Sequence, residues 1–168
     1  MISIEESYKQ LSHVERKLLS KCLGKTIEDV PKAIIPFYRV LPRGIEYDDK
    51  VNAFFAALCV RCLYEDVVGE IVPLESIVRK VREQRQAQRS SDNADSYDNK
   101  IASLMNTVEI PVFISRLSRM MKYTAKMADG YIPDCDQLYK DICSIGSTKK
   151  TVQRKWAKSI YSNGEKGE

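Results

Sequence analysis

The sequence predicts an all-α protein: a compact multi-helix bundle of two packed helical halves joined by a polar loop. Three observations predict it. Apolar residues recur at three- and four-residue spacing along most of the chain. No period-two alternation is sustained long enough to mark a strand. The hydrophobic fraction, 43% of 168 residues, is close to the globular norm and sufficient for a buried core. The expected division is an N-terminal half over residues 1–90, a polar loop over 91–99 and a C-terminal half over 100–168, the last with a basic outer face.

Taken in order, Ser3 with Glu6 and Ser12 with Glu15 both fit the S-x-x-E capping box, in which each side chain satisfies the other residue's free amide. They predict a first helix carrying Ile4, Tyr8 and Leu11 and a second carrying Val14, Leu18 and Cys22. Gly24 follows as a stop, because it accepts the left-handed conformation. Pro31, Pro36 and Pro42 are too many for one long helix between Thr26 and Gly44, so short turns are expected there. The IPFYRVL segment in that region should tuck Phe37, Tyr38 and Leu41 inward and leave Arg39 outside. From Asp48 a strong helix begins, with acids in its first turn. Val51, Phe54, Phe55, Leu58, Cys59, Cys62 and Leu63 surround most of it, which marks a central buried helix.

Pro73 suits the first turn of the next helix, with Leu74, Ile77, Val78 and Val81 inside and Arg79, Arg82 and Arg89 on another face. Periodicity then fades into a run rich in Gln, Ser, Asp and Asn, the expected loop. Ile101, Leu104, Met105 and Val108 restart a helix. Beyond it, Phe113, Leu117, Met120 and Thr124 share a stripe, opposite Arg119, Lys122 and Lys126, with Arg116 at the border. After Gly130 and Pro133, Asp134 or Asp136 suits a helix cap, followed by the Leu138, Ile142 and Ile145 stripe. In the last helix Val152, Trp156 and Ile160 face one way, and Lys150, Arg154, Lys158 and Tyr161 the other.

Several chemistries lack the residues they need. Cys59 and Cys62 have C-x-x-C spacing, but there is no second pair, and the single histidine, His13, lies on another helix. Zinc wants about four ligands, so two small core side chains is the simpler reading. Five cysteines, with no basic and apolar leader in MISIEESYKQ, suggest a cytoplasmic protein with reduced thiols. No apolar run approaches the ~20 residues of a membrane span. No Gly-rich phosphate loop or nucleophile motif occurs. Asp134 and Asp136 read as caps rather than as Mg²⁺ ligands of a nuclease. The chain is therefore expected to be no enzyme, to need no cofactor or metal, and to take no small-molecule substrate or membrane.

The positive signal is basic. Net charge is only +4, but Arg79, Arg82, Arg116, Arg119, Lys122, Lys149, Lys150, Arg154 and Lys158 sit on several helix faces, and the run from Lys149 to Lys158 holds no acid. For any one residue, solvating a helix exterior is the bland explanation. Together they suit a phosphate backbone, with no recognition helix to read bases.

Four stretches together resemble the CasB family, the small subunit of type I-E CRISPR Cascade complexes. They are IPFYRVL, AFFAALCVRCL, ISRLSRMMKY, and the pair DQLYKDI and VQRKWAKSIY. Val152, Arg154, Lys155, Trp156 and Ala157 stand where that family closes on a V-R-R-R-W-A pattern. Arg116, Arg119 and Lys122 match the basic positions of its L-R-R-L-V-R-L-L-R helix. The likeness spans nearly the whole chain. Two departures stand out: Leu19-Ser20-Lys21 replaces an L-R-R pair, so only Lys21 keeps the charge, and Ile145 stands where a tryptophan is common. The resemblance implies an all-helical, non-enzymatic subunit present as two copies along an RNA-guided complex. Its partners would be the other Cascade subunits, a second copy of itself, guide RNA, target DNA and the displaced strand. Because base pairing supplies specificity in such complexes, the protein need only follow backbone. Residue by residue it points to Arg39, Lys100, Arg116, Arg119, Lys122, Lys149, Lys150 and Arg154, with Lys21 as the remnant of the early pair. A basic helical scaffold that meets acidic protein surfaces, without touching nucleic acid, is the competing expectation.

Overall fold

Capping determines where the first helices begin. The structure, a computed structural model, describes residues 3–88, 91–127 and 130–162. Ser3 Oγ accepts the Glu6 N–H at the head of α1 (Ile4–Lys9). At α2 (His13–Leu19) the capping box is complete: Ser12 Oγ accepts the Glu15 N–H and the Glu15 carboxylate accepts the Ser12 N–H. A turn through Gly24, at φ +94°, and a 3-10 turn at Ile27–Asp29 lead into α3 (Pro31–Val40). The central helix is α4 (Asp48–Leu63). Then come β1 (Glu70–Val72), α5 (Leu74–Gln88), α6 (Ser91–Met105), α7 (Ile110–Met127), β2 (Tyr131–Pro133), α8 (Cys135–Cys143) and α9 (Thr151–Tyr161).

Every residue of α4 from Ala53 to Cys62 is buried, so this helix is the axis on which the others lean. α1, α2, α7 and α8 pack around it. Phe37 of α3 meets Phe55 edge to face at 4.9 Å, and Phe54 meets Tyr139 of α8 in the same manner at 5.6 Å. The second focus is Trp156 of α9, fully buried and T-shaped on Phe113 of α7 at 5.9 Å. α5, α6 and α9 close this end, and α5 packs on α9. The apolar core runs without a break across residue 90, the expected boundary between halves.

Two expectations need correction. The stretch 91–99 is helical rather than a loop: α6 starts at Ser91, and Tyr97, Ile101 and Leu104 give it a buried stripe that the polar composition hides. The segment around Pro36 is one ten-residue helix, with Pro31 at its first position. Its inward residues are Ala33, Phe37 and Val40, spaced by four and three. That rotation leaves Tyr38 47% exposed and Leu41 only half-buried. The fold class is all-α as expected, with one short parallel strand pair, Glu70–Val72 against Tyr131–Pro133, and Ile71 opposite Ile132. The strands enter α5 and α8 side by side, and three residues are too few for alternation to show. Gly69 permits the pairing, since a Cβ there would lie 2.0 Å from the Gly130 carbonyl oxygen.

Among the described residues no helix is long and apolar enough to cross a membrane, and no three His, Cys, Asp or Glu side chains gather as metal ligands would. Cys59 and Cys62 are buried in α4, where burial pushes the Cys62 thiol up to about 12 and the Cys59 thiol well above its ordinary value. Cys135 is raised in the same way. These thiols are therefore inert in the native state. Alkylation of the folded protein at neutral pH, mapped by peptide mass spectrometry, is expected to find only half-buried Cys143 with appreciable label. Cys59, Cys62 and Cys135 react after denaturation; prompt native labelling at Cys59 would contradict this packing.

Candidate nucleic-acid interface

The helical stripes that bury Phe113, Leu117, Met120 and Thr124 on α7 and Val152, Trp156 and Ile160 on α9 necessarily turn basic residues outward. On α7, Arg119, Lys122 and Lys126 are exposed along one side. On α9, Lys150, Arg154 and Lys158 recur every fourth residue and are exposed, with Lys149 beside them. The head of α9 adds to this. Its N-cap position is Lys150, in the left-handed region at φ 53°, and no side chain caps the helix. The free amides of the first turn and the positive end of the helix dipole therefore accompany two lysines, a favourable setting for an anion. Lys21 is also exposed. Its turn is held against α7 by Gly24, whose position would place a Cβ 2.6 Å from Ser118 Oγ. Among the described residues, none of the side chains of Lys21, Arg119, Lys122, Lys149, Lys150, Arg154 and Lys158 is hydrogen-bonded or ion-paired.

The other basic residues that the sequence singles out are engaged within the fold. Arg39 donates from Nη1 and Nη2 to both Glu15 oxygens, at 2.9 and 2.6 Å, tying α3 to α2. Arg79 pairs with Glu83 one turn on at 3.1 Å. Arg82 bonds Asp98 at 2.9 Å, so it joins α5 to α6, and its guanidinium carbon lies 4.7 Å from the Tyr161 ring centre on α9. Arg116 donates from Nη1 to the Ser103 carbonyl at 2.7 Å, in the last turn of α6, where a cation complements the helix dipole. Lys100 donates to Ser96 Oγ at 3.1 Å. Arg89 lies outside the described residues. Of the basic residues that the sequence singles out, those on the α7 and α9 stripes, with Lys21, are thus free among the described residues, whereas Arg39, Arg79, Arg82 and Arg116 are braces.

The acidic residues weighed as a metal site also have structural work. Asp134 Oδ1 accepts the Gln137 N–H and caps α8, as its position predicts, and Asp136 accepts the Ile4 N–H of α1. Sequence reading missed two interior arginines. Arg61, on α4, is 7% exposed and forks onto Glu5 at 2.8 and 3.2 Å, with its guanidinium carbon 3.9 Å from the Tyr8 ring centre. Arg85 sits on the inner stripe of α5, four residues after Val81 and eight after Ile77. That register is the signal: an arginine in an apolar row is carried into the interior with it.

The Arg39 pair has a measurable signature. Hydrogen bonds from Arg39 hold the Glu15 carboxyl at about 2, well below its ordinary 4.5. A carboxylate with a depressed folded pKa contributes stability that is present above its unfolded value and disappears as pH falls through the folded one. Wild type should accordingly exceed Glu15→Gln in denaturant midpoint at neutral pH, and the gap should close between about 4.5 and about 2. A gap that stays constant with acidification would contradict the pairing.

No family model matches the chain, and no curated protein sequence does. Its fold, however, matches that of a solved structure, CasB from Thermus thermophilus, with a TM-score of 0.67 at 15% identity, covering 96% of this chain and 99% of that one. At that identity the likeness establishes a shared fold over essentially the full length of both chains.

Proposed function

We propose that this protein is a CasB-type small subunit of an RNA-guided CRISPR Cascade complex, which steadies guide RNA, target DNA and displaced strand through sequence-independent contacts to phosphate. The observation that carries the reading is the fold match to CasB from end to end of both chains. The sequence resemblance, reached on four separate stretches, agrees with it. The unpaired stripes on α7 and α9 supply the chemistry, since exposed lysines and arginines without internal carboxylates can neutralise phosphates at little structural cost. Nothing on those stripes offers a base-reading element entering a groove, and a subunit that relies on a guide RNA for specificity needs none. The role is non-catalytic and cytoplasmic.

Protein partners have support of their own. Ile35 is 77% exposed, and Tyr38, three residues on along α3, is 47% exposed. Val14, beside the Glu15 that binds Arg39, is 76% exposed. Exposed apolar side chains of this kind on α2 and α3 suit burial against neighbouring subunits or a second copy of the chain. The scaffold alternative would use these surfaces alone. Nuclease protection separates the two. The isolated protein should shield a bound oligonucleotide of arbitrary sequence, with affinity falling steeply from roughly 50 to 200 mM salt. Absence of any protection at low salt would favour the scaffold.

A further inference from the structure

Between α5, α6 and α7 lies a cavity of about 260 Å³ lined by Arg85, Ser96, Tyr97, Lys100 and Tyr123. Arg85 is 8% exposed, and its Nε is buried without a hydrogen-bond partner. Among the described residues no carboxylate pairs with it. The nearest acid on α6 whose side chain is described, Asp98, is committed to Arg82 at 2.9 Å. Arginine cannot shed its proton to relieve burial, and an uncompensated buried charge is costly. Tyr123 offsets part of that cost, its ring centre lying 4.1 Å from the guanidinium carbon, with Tyr97 farther off at 5.8 Å. An aromatic face, however, satisfies none of the guanidinium's in-plane donors.

Further polar groups line the same cavity. Lys100 Nζ is held by Ser96 Oγ at 3.1 Å, which brings a second cation and a hydroxyl to the same wall. Tyr97 is fixed by its 2.8 Å bond to Thr124 Oγ1, so that side of the cavity is rigid. We propose that this cavity is a phosphate-binding pocket, in which the buried Arg85 guanidinium, Lys100 and Ser96 hold one phosphate group of a phosphate ester. The site is separate from the stripes on α7 and α9 and does not depend on them. Its occupant is either a phosphodiester of a bound strand or a free phosphate species, and the receptor chemistry is the same for both.

The test uses the full chain, with inorganic phosphate and an oligothymidylate as probes. Phosphate, compared with chloride at equal ionic strength, is expected to raise the melting temperature of wild type. Lys100→Ala should weaken phosphate binding, and Arg85→Met should reduce it roughly tenfold to a hundredfold, since hydrogen bonds to a charged partner are lost. Arg85→Met should also melt no lower than wild type without phosphate, because a buried charge with no carboxylate partner among the described residues has been replaced by an apolar chain. Arg119→Glu should leave the phosphate response intact, which separates this pocket from the proposed strand surface. If Arg85→Met also weakens oligothymidylate binding and phosphate competes for it, the occupant is a strand phosphate. If only the free phosphate response is lost, the occupant is a free species. Lack of a phosphate-specific shift in wild type, or an equal shift in Arg85→Met and Lys100→Ala, overturns the assignment.

Discussion

Trp156→Ala is expected to lower stability by about 3–5 kcal/mol, the usual cost of emptying a core site of this size. For a chain of this length that is a fall of roughly 6–20 °C in melting temperature. Trp156 is fully buried, and Phe113 packs edge-on to it at 5.9 Å. Its Nε1 also donates to Asp141 Oδ2 at 2.9 Å. Asp141, itself 4% exposed, accepts two bonds from Lys155 Nζ, at 2.8 and 3.0 Å, and one from Gln137 Nε2 at 3.0 Å. One indole therefore joins the apolar contact of α7 with α9 to the polar clasp of α8 with α9. Trp156→Phe dissects the two contributions. It retains most of the ring contact and should cost only about 1–3 kcal/mol, the loss of one partner from a buried carboxylate. Thermal and denaturant unfolding of both variants checks this; a shift of only a degree or two for Trp156→Ala would mean that α9 is not anchored here. Because α9 also carries Arg154 and Lys158, its detachment should weaken strand binding as well.

The second large effect is on binding. Arg119→Glu with Lys122→Glu should reduce affinity for single-stranded nucleic acid by an order of magnitude or more and leave the melting temperature within a degree or two of wild type. Removing two phosphate contacts should also flatten the dependence of log affinity on log salt by about 1.4, at roughly 0.7 per contact on a single strand. The loss should be uniform across sequences. Choice of residue matters here. Arg116 lies on the same helix and matches the same family positions, yet its Nη1 holds the Ser103 carbonyl, so its reversal disturbs the α6–α7 junction as well as any ligand. Arg82 and Arg39 carry the same complication through Asp98 and Glu15. Arg119 and Lys122 separate binding from folding.

What the sequence made legible follows from what is local. The Ser12 capping box, the Asp134 cap, the all-round apolar character of α4, and the Val152, Trp156 and Ile160 stripe depend on residues within a few positions of one another, and each stands in the structure as its spacing predicts, while at Ser3 only the serine half of the box forms. The outward faces of α7 and α9 were legible for the same reason. Pairings between distant segments were not. Nothing near Glu15 announces Arg39, twenty-four positions on, and nothing near Gly69 announces Gly130. Nor does anything near Arg61 announce Glu5, 56 positions earlier, which the fold brings to it and which makes it an interior brace. The polar stretch before Tyr97 looked like a loop because composition outweighed the single stripe of Tyr97, Ile101 and Leu104 that docks it as helix. Basic residues were found by counting charge. Separating the braced from the free ones required knowing which carboxylates and carbonyls the fold brings within reach.

The proposed role is tested by retention of target DNA in a Cascade complex assembled with this protein as its small subunit, wild type or with Arg119→Glu and Lys122→Glu. Both complexes should assemble, and the charge-reversed one should release its R-loop faster, with the difference shrinking as salt rises. Equal R-loop lifetimes in two complexes of identical composition would contradict that role.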